Sequence, residues 1–259
     1  MINETVGIIG GSGWLGGSIV KALLAKALLP AGKLVISNRC GEHPLARQGV
    51  CLVADNQVLV DRSDVIVIAV RPEHFASLNI NATGKIVISL MAGIKAQTIA
   101  ERTSASAVIR AMPNAAVEIE QSFTPWYCAG EVAAATRNLV QRLFESVGTA
   151  AQVQEEDFID YLSALSGTGP AFPALLMTAL ADQAVAAGVP ADIARLAAKN
   201  VVVNCSQLLA SHDPRQMIDS LVAYRGVTAA ALQTMTEGGF EEQVGRALRE
   251  GAAVARKGL

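Results

Sequence analysis

Gly11, Gly13 and Gly16 stand at Gly-x-Gly-x-x-Gly spacing in "IIGGSGWLGGSIV", where an apolar run gives way to a helix-period one. The first glycine of such a set allows a tight turn, the second lets backbone approach a pyrophosphate, and the third lets helix pack on strand. A helix opening there turns free N–H groups toward an anion. The turn at Gly11, Gly13 and Gly16 is therefore the expected pyrophosphate cradle. By itself a glycine-rich turn can be only a turn; its place behind the first strand of an alternating half gives it meaning. The second strand run, "KLVISNRC", ends in Ser37, Asn38 and Arg39. It has no carboxylate for a ribose 2′-hydroxyl and offers a guanidinium for a 2′-phosphate, so the cofactor expected is NADP(H).

Ligands of such sheets sit at the carboxyl ends of the strands, which adds "AVRP" (Ala69, Val70, Arg71, Pro72) and "SLMAG" with Ala92. "AMPN", residues 111–114, ends a further strand and can equally be an ordinary turn. A second place for chemistry is "LVAYRGVTAAALQTM", residues 221–235. Thr228 there can cap the helix that follows, the helix N-terminus favours an anion, and Arg225 can meet a carboxylate directly. The alternative is a loop that binds nothing. "SGTGP", residues 166–170, reads as a helix start with Pro170 early and Thr168 as cap.

The elements that must position these residues fall into two halves. Residues 1–152 alternate strand runs ("TVGIIG", "KLVIS", "DVIVIAV", "KIVISL", "AVIRAM", "AAQVQ") with helical patterns. Continuously apolar runs suit central parallel strands, so the fold expected is α/β, a Rossmann-like doubly wound, mostly parallel sheet. From 153 to 259 every pattern is helical, punctuated at Gly188-Val189-Pro190, Asp213-Pro214 and Gly238-Gly239. The domains expected are thus a 1–152 NADP-binding part and a 153–259 helical part for dimerisation and substrate.

Charge is balanced, 21 basic against 23 acidic residues, and no basic run could track a phosphate backbone, so no nucleic acid is expected. The N-terminus lacks a signal-peptide pattern, and four scattered cysteines without a CxxC pair fit reduced thiols, hence a cytoplasmic expectation. Three histidines without partners at ligand spacing predict no metal. The uncharged run Tyr161–Ala181 could span a membrane by count, but its "SGTGP" start and sparse Leu, Ile and Phe favour a helix buried on all sides, at an oligomer interface.

"SDVIVIAVRP", "SLMAGI", "VIRAMPNA", "ALSGTGPAF" and "GGFEEQVGRALREGA", in this order along nearly the whole chain, resemble the pyrroline-5-carboxylate reductase family. The resemblance implies an N-terminal NADP-binding domain, a helical dimerisation domain and an active site formed between them. It places cofactor contacts on Gly11, Ser12, Gly13, Trp14 and Leu15, adds Asn56 to them, and sets Arg71 where the family commonly has lysine. The family's Ser-Pro-Gly-Gly-Thr-Thr loop falls on Ala223-Tyr224-Arg225-Gly226-Val227-Thr228, keeping only Gly226 and Thr228. Backbone N–H groups of Gly226, Val227 and Thr228 would cradle the substrate carboxylate, and the Thr228 hydroxyl would meet the ring nitrogen. Ser166, Gly167 and Thr168 would shape the pocket from another side.

The implied function is NADPH-dependent reduction of a cyclic imino acid, first 1-pyrroline-5-carboxylate to L-proline. The alternatives are another cyclic imine carboxylate, suggested by bulky Tyr224 and Arg225, or a catalytically silent NADP-binding paralogue. A hydroxy acid is disfavoured, because "SGTGPAFPALLMTALADQAVAAG" carries no lysine to serve as acid. The partners expected are the small imino acid and a second copy in a homodimer, with or without further assembly of dimers, and no membrane.

Overall fold

The computed structural model describes residues 2–38 and 44–257. The first half runs β1 (Val6–Ile9), α1 (Trp14–Ala25), β2 (Leu34–Ser37), β3 (Cys51–Val53), α2 (Asn56–Asp61), β4 (Val65–Ile68) and α3 (Pro72–Phe75). It continues with β5 (Ile86–Ser89), α4 (Ala96–Thr103), β6 (Ala107–Ala111), β7 (Ser122–Ala129), α5 (Ala134–Glu145), β8 (Gly148–Gln152) and α6 (Glu156–Leu162). The eight strands form one sheet in the order β3-β2-β1-β4-β5-β6-β7-β8. All neighbours are parallel except β6 and β7, which are antiparallel.

The apolar runs explain the centre of this sheet. Every residue of β1 and β4 is buried, as strands covered on both faces require. Side chains of one parity, such as Val6, Ile8, Val65 and Val67, join Ile19 and Leu23 of α1 and Leu143 and Phe144 of α5. The other parity, Ile9, Ile66 and Ile68, packs with Leu59 of α2 and Ile99 of α4. Each such buried aliphatic side chain stabilises by about 1.5–3 kcal/mol.

Two strands escape the pattern. β3 has only three residues and no fully buried one, so no apolar run announces it. β7 contains Pro125, which cannot donate to a ladder, yet it is paired on both sides. The expected last strand, residues 150–154, is in fact Gly148–Gln152.

The remaining helices are α7 (Ala171–Ala186), α8 (Ala191–Lys199), α9 (Pro214–Tyr224), α10 (Val227–Glu237) and α11 (Phe240–Lys257). The compact units part at 168/169, away from the 152/153 expected where the strand pattern ends. Residues 1–168 and 249–259 form the first, and 169–248 the second. α6 accounts for the offset, because it packs on β6 and β7.

Within the second unit α7, α9 and α10 bury no residue. Leu175 is 71% exposed and Leu196 66%. Within the single chain the helix is therefore not buried on all sides: hydropathy shows that water is disfavoured, not which chain excludes it. By length and composition the continuous helical run Glu156–Ala186 would also suffice to cross a membrane.

Candidate cofactor and substrate site

The turn from β1 into α1 is built from close approaches that only glycine permits. Gly10 has φ +82°, and a Cβ there would lie 2.7 Å from the Ala69 carbonyl oxygen. A Cβ on Gly16 would lie 2.6 Å from the Gly10 oxygen. The left-handed residue is therefore Gly10, one place before the motif. Gly11, expected to make the tight turn, has negative φ and instead packs against Ile36 of β2, where a Cβ would meet the Ile36 Cγ2 at 2.7 Å. Gly13 is the N-cap of α1, in extended conformation, with no side chain bonding the first-turn N–H groups and no acidic residue in that turn. Ser12, Trp14 and Leu15 follow the same turn. The helix end is thus left open and positive, the condition for an anion.

Neighbouring strand ends complete this edge. Ser37, buried at the end of β2, donates its hydroxyl to Asn56 Oδ1 at 2.7 Å. Asn56 opens α2, whose cap is Asp55, accepting from the Val58 N–H. The Asn38 N–H reaches the Val53 oxygen. Arg39 lies outside the described residues. After β4, the Ala69 N–H bonds the Ile9 oxygen, Val70 is half-buried, and Arg71 is the N-cap of α3 with Pro72 at its first position. The Arg71 side chain is 80% exposed and pairs with Glu73 at 3.6 Å. Ala92 occupies the turn after β5. β2, β1, β4 and β5 are adjacent in the sheet, so the expected cofactor residues that are described share one edge.

Beside this edge the Trp14 indole N–H donates to the Glu118 carboxylate. Glu118 belongs to a 3₁₀ turn, Ala115–Ile119, that Asn114 caps by accepting from the Ala116 N–H. Between α1 and this turn lies a cavity of about 530 Å³, reached by Ser12, Gly13, Lys21, Glu118 and Glu120.

Sequence reasoning missed an ion network behind the same edge. Arg110 of β6, 1% exposed, donates to Asp160 Oδ1 at 2.8 Å and to Glu156 Oε1 at 3.0 Å. Lys95 donates to Asp160 Oδ2 and to Asp157. Desolvation opposes the Lys95 charge, but its bonds to Asp157 and Asp160 outweigh this and raise its pKa. The bond from Lys95 holds the Asp157 carboxyl below its usual range. The available signal was a charged residue inside the otherwise apolar strand "AVIRA", together with acids at 156 and 160, one helical turn apart.

Ser163–Gly167 forms a π-helical turn continuing α6. Thr168 is no cap for α7: its hydroxyl donates back to the Ala164 oxygen, and the N-cap is Pro170. Ser166 donates to the Phe123 oxygen at 3.3 Å. Gly167 has open space around its Cα.

In the second unit, Arg225 has φ +65° and ψ −177°, and Gly226 has φ +89° and ψ −151°. Arg225 thus occupies a region that is essentially glycine's. Gly226 is the N-cap of α10, so Thr228 does not cap that helix as expected: it sits second, inside the first turn. Among the described residues its hydroxyl has no hydrogen-bond partner, and no side chain covers the first-turn N–H groups. Tyr224 and Val227 are each 90% exposed.

A doubly wound sheet with an open, glycine-lined helix terminus at its carboxyl edge defines a dinucleotide-dependent enzyme of the Rossmann type. The comparisons narrow this. Residues 5–93 match the family model described as NADP oxidoreductase, coenzyme F420-dependent, and residues 156–258 match that for pyrroline-5-carboxylate reductase dimerisation. The chain is 30% identical over 245 residues to a pyrroline-5-carboxylate reductase of Pisum sativum, covering 91% of this chain and 89% of that one. The structure of a Coxiella burnetii pyrroline-5-carboxylate reductase superposes with a TM-score of 0.86, at 26% identity, over 99% of this chain and 98% of that one. A Plasmodium falciparum pyrroline carboxylate reductase with NADP bound shares the fold, with a TM-score of 0.83 at 21% identity over 99% and 98%. The chain belongs to the pyrroline-5-carboxylate reductase family.

Proposed function

We propose that the protein reduces 1-pyrroline-5-carboxylate to L-proline with NADPH, as a step of proline biosynthesis. The carrying observation is the open N-terminus of α1 at the glycine turn, in a chain of which 91% aligns with a reductase of that substrate. The residues present fit the nucleotide. Side chains at Gly10 or Gly16 would fill the turn, no acid opposes an anion in the first turn of α1, and Ser37 and Asn56 form a polar floor. Backbone N–H groups after Gly13 would hold the pyrophosphate, and Asn38 and Arg39 the 2′-phosphate. When bound, the cofactor supplies hydride.

The chain's own task is then orientation and exclusion of water. The N–H groups of Val227 and Thr228, unpaired by any side-chain cap, would donate to the substrate carboxylate, and the free Thr228 hydroxyl would hold the ring nitrogen. Arg225 adds a guanidinium beside them. The family resemblance also assigns Ser166, Gly167 and Thr168 of the first unit to the substrate. The apolar surface left open on α7 to α10 supports a homodimer in which a second copy covers it.

One observation favours a second substrate reading, a differently sized cyclic imine carboxylate: Tyr224 and a strained Arg225 stand where the family has Pro and Gly. The test is NADPH oxidation by the purified protein with pyrroline-5-carboxylate beside piperideine carboxylates. Saturable turnover of the five-membered ring is expected. Turnover of only the larger rings would select the second reading, and NADPH binding without any turnover would sink both.

A further inference from the structure

The ion network around Arg110 is costly as a device for stability alone. Arg110 and Asp160 are each 1% exposed, and removing both charges from water offsets much of what their attraction returns. Arg110 Nε, also buried, has no partner among the described residues. An apolar pair of similar volume would hold β6 and α6 together as well. What the ion pair adds is direction. Two nitrogens of one planar guanidinium reach Asp160 and Glu156, one turn apart on α6, which fixes that helix in both rotation and height. Glu156 also accepts the Ala96 N–H at the start of α4, and Lys95 grips the other Asp160 oxygen.

Three residues beyond Asp160, the helix leaves α-helical register for the π turn Ser163–Gly167, the conformation in which helices commonly carry functional groups. That turn is held at further points. Ser163 donates to the Ile159 oxygen and Ser166 to the Phe123 oxygen of β7, and Gly251 of α11 lies so near Ala164 that a Cβ there would stand 3.0 Å from the Ala164 Cβ. Arg110 itself is four residues ahead of Asn114, on the strand whose end leads into the cofactor edge. All these residues belong to the first unit.

We propose that Arg110 and Asp160 are positioning residues, which through the paired contact with α6 set the Ser163–Thr168 turn relative to the carboxyl edge of the sheet. The role of that turn as a substrate wall rests on the function proposed above.

The test is the double variant Arg110→Met with Asp160→Leu, which replaces the buried charges by apolar volume. Lys95 keeps Asp157 as partner, and Glu156 keeps the Ala96 N–H. Melting temperature and NADPH affinity are expected to stay near the wild type, while kcat for the imino acid falls by about ten- to a hundredfold, the cost of misplaced groups. Amide exchange at residues 164–168 should quicken relative to β1. A stable variant with wild-type kcat overturns the proposal, as does equal loss of kcat and NADPH affinity. If the double variant does not fold, Glu156→Gln replaces it: a lower kcat at unchanged NADPH affinity supports the proposal, and an unchanged kcat overturns it. If the wild type turns over no imino acid, the function proposed above fails separately, and exchange alone decides. Unchanged exchange at 164–168 in a folded variant then overturns the coupling, and faster exchange there supports it.

Discussion

Arg225→Gly is expected to make the protein more stable, against the usual effect of adding a glycine. The backbone at Arg225, φ +65° and ψ −177°, costs a side-chain-bearing residue about 1–3 kcal/mol. Glycine removes that strain but gains freedom in the unfolded chain, worth about 0.5–1 kcal/mol in the other direction. Arg225 is exposed and makes no salt bridge among the described residues, so few contacts are lost with it. The net expectation is about 1 kcal/mol of stabilisation, a rise of about 2–4 °C in Tm for a chain of this size. Tyr224→Gly is the control. It ends α9 in helical conformation at 90% exposure, and glycine there should cost about 1 kcal/mol. Adjacent glycine substitutions should therefore move Tm in opposite directions. The assay is thermal unfolding by circular dichroism at one protein concentration, because association makes Tm depend on concentration. A fall in Tm for Arg225→Gly matching that of Tyr224→Gly would refute the reasoning. If the guanidinium also grips the substrate carboxylate, the stabilised variant should show a raised KM for the imino acid, strain having been retained for binding.

Further outcomes follow from other parts of the structure. Gly10→Ala forces positive φ on alanine and drives its Cβ against the Ala69 oxygen; it should cost about 2–4 kcal/mol in a urea titration and weaken NADPH, and a loss under 0.5 kcal/mol would contradict the turn geometry. Lys95→Met removes two linked pH effects. The raised Lys95 pKa gives stability fully present below the unfolded lysine value, near about 10.4, and lost as pH rises through the folded one. The lowered Asp157 pKa gives stability present above the unfolded aspartate value, near about 3.9, and lost as pH falls through the folded one. The Tm difference between wild type and variant should be flat between these limits and shrink outside them, whereas a difference that grows toward acid would reverse the sign. Arg39→Ala should weaken NADPH by about tenfold or more and leave NADH nearly unchanged in a fluorescence titration, and equal loss for both would remove the 2′-phosphate assignment.

The sheet was legible wherever both faces of a strand are covered, because β1 and β4 must then be apolar throughout. It was illegible where the controlling interaction is not hydrophobic. β3 is held by ladder bonds at an edge, and β7 is a strand despite Pro125 because its neighbours on both sides fix its path. The glycine motif pointed to the right turn, but its spacing does not include Gly10, the residue one place earlier that adopts the left-handed conformation. Thr228 was read as a helix cap because threonine favours that place, while the chain gives it to Gly226, the neighbour able to adopt φ +89°. The Arg110 network was hidden because its partners, 46 and 50 residues further along, meet only when α6 lies on the sheet.

The most direct test of the central claim is where hydride arrives. NADPH carrying deuterium at the transferable position should label the proline formed from 1-pyrroline-5-carboxylate at the ring carbon that had been the imine carbon, one label per NADPH consumed. Proline without deuterium, or NADPH consumed with no proline formed, would contradict the account.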